Sequence, residues 1–254
     1  MTHFTRIVRG AAVALLTSGM LTGTALAQDT TYKVGSTPSG VPFTFLDVNT
    51  NQIDGVMVDI IKAIGEVEGF TPEVEATQWS ALIPSLTSGK IDIIAAAMYA
   101  TEERAKVVSF SDTVYTYGEG LFVKADDTGT YTSLDDLEGK VAGAQVGTAY
   151  IEPLKASGKF AEVKVYDTIA DIMRDVSLGR IDAGFGDRPI VGYQLSQGAS
   201  DVRLVAEYES QVTGNVAIAV RQDDTELLAK INAGLAAIKA SGKLDEIVQK
   251  WGIN

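Results

Sequence analysis

The sequence predicts an α/β protein of two similar lobes with a ligand cleft between them, and three observations carry that expectation. Short apolar runs alternate with amphipathic stretches from Tyr32 onward, as when strands and helices take turns along the chain. The runs 91–97, 141–146 and 181–185 are apolar almost throughout, which suits parallel strands covered on both faces. One device also occurs twice. Ser88-Gly89-Lys90-Ile91-Asp92-Ile93 and Leu178-Gly179-Arg180-Ile181-Asp182-Ala183 each give a helix end stopped by glycine, a basic residue, and a strand opening on Ile-Asp. Two such units imply two α/β halves, with ligand at the carboxyl ends of the strands. Strand-like crossovers near Tyr117-Gly118 and Thr213-Gly214 would join them, with 28–117 and 214–254 in the first lobe and 118–213 in the second.

The elements follow in order. Arg6 and Arg9, an apolar run to Leu26, and Ala25-Leu26-Ala27 together describe a cleaved secretory signal peptide over residues 1–27. Thr17, Ser18, Gly19, Thr22, Gly23 and Thr24 interrupt the run, which disfavours a membrane anchor. Tyr32-Lys33-Val34-Gly35 opens the first strand. Val56, Ile60, Ile61, Ile64 and Val67 lie at helical spacing, ended by Gly69. Further strands are expected at 120–123 and 163–166, and helices at 80–87, 102–107, 148–156, 168–177 and 188–197. The tail holds a strand at 216–220 and helices at 225–240 and 243–250, parted by Ser241-Gly242.

Composition narrows the chemistry. The chain has no cysteine, and its one histidine, His3, lies in the segment expected to be removed. Disulfides, a lipidated cysteine, most zinc sites and histidine-based nucleophile systems are therefore not expected. The formal charge of −12 argues against nucleic acid and anionic membrane surfaces as partners. An exported chain without lipid or anchor fits the Gram-negative periplasm.

The richest segment runs from 91 to 104. Its strand ends in Ala95-Ala96-Ala97, small enough for a ligand to approach the backbone, and Thr101 can cap the helix that follows. Arg104 falls in the first turn, where the helix dipole disfavours a cation. Either it pairs with Glu103 or another nearby acid in solvent, or it turns into the cleft to grip a carboxylate with its two-pronged guanidinium.

Gly35-Ser36-Thr37-Pro38 followed by Pro42-Phe43, the stretch Ala81-Leu82-Ile83-Pro84-Ser85-Leu86 leading to Ile91-Asp92, Thr101-Glu102-Glu103-Arg104, and Phe110-Ser111-Asp112 together resemble the family 3 extracellular solute-binding proteins. These serve ABC importers of polar amino acids, and the resemblance covers essentially the whole chain after the leader. It implies the two-lobed periplasmic-binding-protein fold with two hinge strands. It also implies that Arg104 holds the ligand α-carboxylate, helped by backbone groups at Ala97 and Tyr99 and by a helix N-terminus at Gly147-Thr148-Ala149. Asp187 would hold the α-ammonium group, although an N-cap for a helix starting near Pro189 also accounts for it locally. Trp79 matches a wall against the ligand side chain, or else belongs to the core, as Trp251 is expected to. Gln145 stands where the family varies side-chain recognition, with Tyr150 one turn on.

Several positions depart from the family pattern. Thr37 stands where binders of basic amino acids carry an acid, Gly40 where an aromatic lid is common, and Tyr99 where a small hydroxyl residue is usual. The usual G-F-D becomes Gly55-Val56-Met57, although Asp59 remains. These changes weaken a lysine or arginine assignment, with Glu119 the one acid that would reverse it by reaching the pocket. The expectation is a monomeric binding protein, without cofactor or metal, that delivers an amino acid of neutral side chain, or a close derivative, to an ABC permease. The rival is a periplasmic dehydratase or lyase on the same scaffold, with Asp187 or Glu119 as its acid–base group. A receptor sensor domain is disfavoured because no transmembrane helix follows.

Overall fold

The computed structural model describes residues 1–3, 30–198 and 201–253. The expected leader and its cleavage point after Ala27 therefore lie, but for three residues, outside the described residues.

The chain begins with β1 (Thr30–Ser36) and a small antiparallel sheet of β2 (Ser39–Gly40), β3 (Thr44–Asp47) and β4 (Gln52–Asp54). Helix α1 (Val56–Glu68) buries Val56, Ile60, Ile61 and Ile64, and stops at Gly69 in the left-handed region, φ 70°. Next come β5 (Phe70–Ala76), a 3-10 turn at Trp79–Ala81, α2 (Leu82–Thr87) and β6 (Ile93–Tyr99), which is buried along its whole length. After α3 (Glu102–Ala105) and β7 (Val108–Phe110), the long strand β8 (Tyr115–Lys124) leads into the second half. There β9 (Val141–Gln145), α4 (Ile151–Ala156), β10 (Glu162–Tyr166), α5 (Ile169–Ser177), β11 (Ala183–Asp187), α6 (Arg188–Ser196) and β12 (Val202–Leu204) follow in turn. Strand β13 (Thr213–Arg221) returns to the first half, where α7 (Thr225–Ala240) packs on α1 and α8 (Lys243–Lys250) packs on both.

Ten strands form one sheet along the path β10-β9-β11-β8-β13-β6-β1-β5, with β12 on β8 and β7 on β13. The triplets β5-β1-β6 and β10-β9-β11 are parallel. The expectation of mainly parallel sheets holds for these triplets alone. β8 and β13 cross between the halves and run antiparallel to each other, Thr213 opposite Gly118 and Gly214 opposite Tyr117. A chain that crosses and later returns beside itself must run the opposite way.

The repeated Gly-basic-Ile-Asp device proves to be a stitch between strands. Gly89 and Gly179 take φ values of 74° and 65°. Asp92 donates its N–H to the Lys33 carbonyl (2.8 Å) and accepts the Lys33 N–H on its carboxylate (3.0 Å). Asp182 treats Val141 the same way, at 2.9 and 2.8 Å. Two expected helices are shorter than the pattern suggested: the first ends at Ala105, and α4 starts at Ile151 rather than 148. Trp251 is half-buried at the edge of the first core, not inside it. Its ring meets Phe45 edge-on (5.6 Å) and its indole N–H donates to Asp59 (2.8 Å), which also binds Lys250. The residue kept from the G-F-D pattern is thus an anchor for the C-terminal helix.

Candidate functional site

Between the halves lies a cleft lined by side chains of both. Gly40, Trp79, Ala97, Tyr99, Arg104, Gln145, Thr148, Ala149 and Asp187, all singled out from the sequence, line it.

The first half contributes the cation. The pairing of β6 with β13 slips between Ala217 and Ala219, and Ala97 takes φ 53°, a conformation unfavourable for any residue with a Cβ. The chain then turns at Thr101, whose hydroxyl accepts the Arg104 N–H (3.3 Å) and so caps α3 as expected. Arg104 does not pair with Glu103, which bonds Lys106 instead. Its guanidinium donates to the carbonyls of Tyr99 (2.7 Å) and, across the cleft, Gly147 (2.9 Å), and lies 5.4 Å from the Trp79 ring centroid. Two of its five donors are thus in use. Among the described residues no carboxylate forms an ion pair with it. Burial pushes its pKa down, a tendency that the nearby Asp187 opposes.

The second half contributes the anion. Asp187 ends β11 and occupies the N-cap position of α6, yet its side chain makes no capping hydrogen bond. Its carboxylate instead lies 3.1 Å from the Tyr117 hydroxyl. Burial pushes its pKa up to about 7, while Tyr117 and Arg104 pull the other way and Glu119 adds to the rise. Tyr117, on the crossover strand β8, also lies 3.2 Å from the Ala97 carbonyl, so one hydroxyl proton faces acceptors from both halves. The Tyr99 hydroxyl is directed away from the cleft chemistry, donating to the Tyr117 carbonyl (3.0 Å).

The remaining wall is neutral. Gly40, on the small sheet, faces the cleft beside Thr37, whose hydroxyl pairs with that of Thr44 (2.6 Å). Gln145 donates its amide to the Asp167 carbonyl (2.8 Å). Thr148 bonds the Gln145 carbonyl through both its hydroxyl (2.8 Å) and its N–H (3.3 Å). That turn delays the start of α4, so the N–H expected to be free at Thr148 is occupied, while Ala149 still lines the cleft.

Glu119 does not reach the cleft. It is fully buried, accepting from the Tyr208 hydroxyl (2.9 Å) and from the N–H groups of Gln211 (2.6 Å) and Val212 (2.9 Å). Its role is to fasten the segment that leads into β13. Sequence reasoning missed Tyr117 as a site residue, since its part depends on long-range register and not on a local motif. It also missed the apolar flank of Ile169 and Ile190. Among the described residues no group of three or more potential metal ligands converges, and no helix is long and apolar enough to cross a membrane.

Comparison with known proteins identifies the family and the fold. The model of a family described as bacterial extracellular solute-binding proteins, family 3, matches residues 32–254. The putative ABC transporter arginine-binding protein 2 of Escherichia coli (strain K12) is 33% identical over 242 residues, 94% of this chain and 97% of that protein. Two solved structures share the two-lobed fold. An ancestral arginine-binding protein bound to glutamine is 34% identical with a TM-score of 0.80, covering 89% of this chain and 100% of its own. An ancestral amino acid-binding protein, a precursor of cyclohexadienyl dehydratase, is 31% identical with a TM-score of 0.79, over 87% of this chain and 95% of its own.

Proposed function

The chain belongs to the bacterial extracellular solute-binding proteins of family 3, and on that premise we propose that it captures an α-amino acid of neutral side chain, or a close derivative, and delivers it to the permease of an ABC importer. The observation that carries this reading is the facing pair Arg104 and Asp187. They approach one cleft from opposite halves, and Arg104 has no ionic partner among the described residues. A zwitterion would complete both. Its carboxylate would take Arg104's remaining donors, and its ammonium would relieve the desolvation that raises the Asp187 pKa.

The lobes in this reading are residues 28–117 with 214–254, and 118–213, hinged at β8 and β13. Ligand favours the closed state because only there do both lobes touch it. The leader over 1–27 is removed on export to the periplasm, where the protein acts as a monomer without cofactor.

Relatives differ in what they hold. One named above is described as a putative arginine-binding protein, and an ancestral one holds glutamine. In this chain a basic side chain would lack an acid: Asp187 is engaged by the ammonium group, Thr37 is neutral, and Glu119 is bonded elsewhere. An unpartnered charge in a desolvated cleft costs several kcal/mol, about 3–5 by analogy with broken buried pairs. The same removal of Glu119 leaves Asp187 as the one carboxylate among the described residues lining the cleft, which supports binding over catalysis.

A thermal-shift panel of the common amino acids tests the proposal, since ligand raises the melting temperature by mass action. Glutamine, serine or leucine should stabilise more than lysine, arginine or ornithine. The reverse order would refute the neutral side chain, and no response to any amino acid would point to a derivative or to the lyase reading.

A further inference from the structure

Tyr150 stands apart from the rest of the cleft wall. Its ring is packed into the second core with Leu121, Phe185 and Tyr208 and is only 1% exposed. Yet its hydroxyl has no hydrogen-bond partner among the described residues, although it lines the cleft. Such a group is costly to bury unless something else pairs with it.

The neighbouring polar groups are already engaged. Thr37 and Thr44 bond each other, Tyr99 donates to Tyr117, and Gln145 donates to Asp167. The Thr148 hydroxyl lies close to the phenol but makes no hydrogen bond with it, and gives its own proton to the Gln145 carbonyl at 2.8 Å. Ser39 is half-exposed, so water can serve it. The Tyr150 hydroxyl has no such outlet. It lines the same cleft as Asp187 and Arg104 and is within electrostatic reach of both, so it faces the space that a ligand held between them would fill.

We propose that Tyr150 is a specificity-determining residue whose hydroxyl pairs with a neutral hydrogen-bonding group (an amide, hydroxyl or carbonyl) on the ligand's side chain. The inference rests on the amino-acid reading above and narrows it from neutral to neutral and polar. A phenol both donates and accepts, so any of these groups satisfies it. An apolar side chain of the same size would seal the cleft over an unpaired hydroxyl, which is how a site built to hydrogen-bond rejects an analogue lacking that group.

Calorimetric titration of the wild type and Tyr150→Phe with the near-isosteric pairs glutamine and methionine, and threonine and valine, tests this. Thermal unfolding of both proteins without ligand accompanies it. The wild type should prefer the polar member of at least one pair. Tyr150→Phe should bind that member about tenfold more weakly while leaving the apolar member unchanged, as loss of one buried hydrogen bond implies. Without ligand the variant should unfold at the same or a higher temperature, because no protein partner is lost. An equal loss for both members would place the phenol on the shared α-amino or α-carboxyl group and overturn the proposal. So would unchanged preferences, with or without a drop in the ligand-free melting temperature. If no α-amino acid binds the wild type, the amino-acid reading itself fails and this inference falls with it.

Discussion

Leaving aside the small sheet β2–β4 and the 3-10 turns, the first half runs β1-α1-β5-α2-β6-α3-β7 and the second β9-α4-β10-α5-β11-α6-β12. In each, the first strand lies in the middle of a parallel triplet, the second at its outer edge and the third at its inner edge. In each, the third strand is stitched to the first by the aspartate of the Ile-Asp pair. The halves part company where those third strands end. Thr101 gives its side-chain oxygen to the helix that follows, and the charge of this half comes three residues later at Arg104. Asp187 occupies the matching N-cap position but leaves its helix uncapped, and β8 holds its carboxylate through Tyr117. An unmade cap costs about 1 kcal/mol. One frame thus yields a cation and an anion on facing walls, according to whether the cap oxygen serves its own helix or the cleft.

The largest effect expected from this asymmetry is on binding. Arg104→Ala should lose about 3–5 kcal/mol of affinity for the preferred amino acid while remaining folded, as for a broken buried ion pair. Isothermal titration measures it, and a loss within about 0.5 kcal/mol, ordinary for surface changes, would remove Arg104 from the site.

Asp187→Asn should act on binding and on stability in opposite directions. The folded-state pKa of Asp187 is raised to about 7, against about 3.9 in the unfolded chain. The folded protein therefore holds this proton longer, and stability falls as pH rises from about 4 to about 7, the penalty being complete above that. Asparagine lacks the penalty, so the ligand-free variant should be more stable than wild type at pH 8 by about 1–4 kcal/mol, with the gap closing towards pH 4. Ligand affinity of the wild type should weaken by up to about tenfold per unit as pH drops below about 7, because the ammonium needs the ionised carboxylate. Denaturant melts and titrations across pH 5–8 check both signs. A variant of wild-type stability at pH 8 would contradict the burial of this carboxylate.

The smallest effect concerns the stitches. Asp92 also bonds Arg221 (3.2 Å) and is partly buried, whereas Asp182 is exposed and, among the described residues, bonds its neighbouring strand alone. Replacing Asp92 by alanine should cost about 2 kcal/mol, and Asp182 by alanine about 1, by the usual worth of such bonds. Equal midpoints in urea would mean the halves are stitched with the same strength after all.

Much of this frame was legible in the sequence because its signals are local. Helical spacing and a stopping glycine delimit α1, and Thr225–Ala240 and Lys243–Lys250 fall where periodicity and Ser241-Gly242 place them. Gly89 and Gly179 mark the repeat. What escaped depends on pairing between distant strands. Nothing near Tyr117 says that its hydroxyl faces Ala97 and Asp187, 20 and 70 residues away. Glu119, two residues further along the same strand, points to the segment 208–212 instead of the cleft, and only the register of β8 and β13 decides that. The late start of α4 was hidden too, because Thr148 satisfies the Gln145 carbonyl with its own side chain, a local bond that competes with helix formation.

The account rests on two halves each supplying one charge to one zwitterion, and ligands missing a charge test it most directly. Glutamine, its deaminated analogue and its decarboxylated analogue would each be titrated into the wild type, Arg104→Ala and Asp187→Asn. Each analogue should bind the wild type at least about 100-fold more weakly than glutamine, as expected when one partner of a buried charge pair is removed. Arg104→Ala should hardly distinguish glutamine from the decarboxylated analogue, and Asp187→Asn should hardly distinguish it from the deaminated one. Analogues that bind the wild type as well as glutamine does would contradict the two-charge cleft.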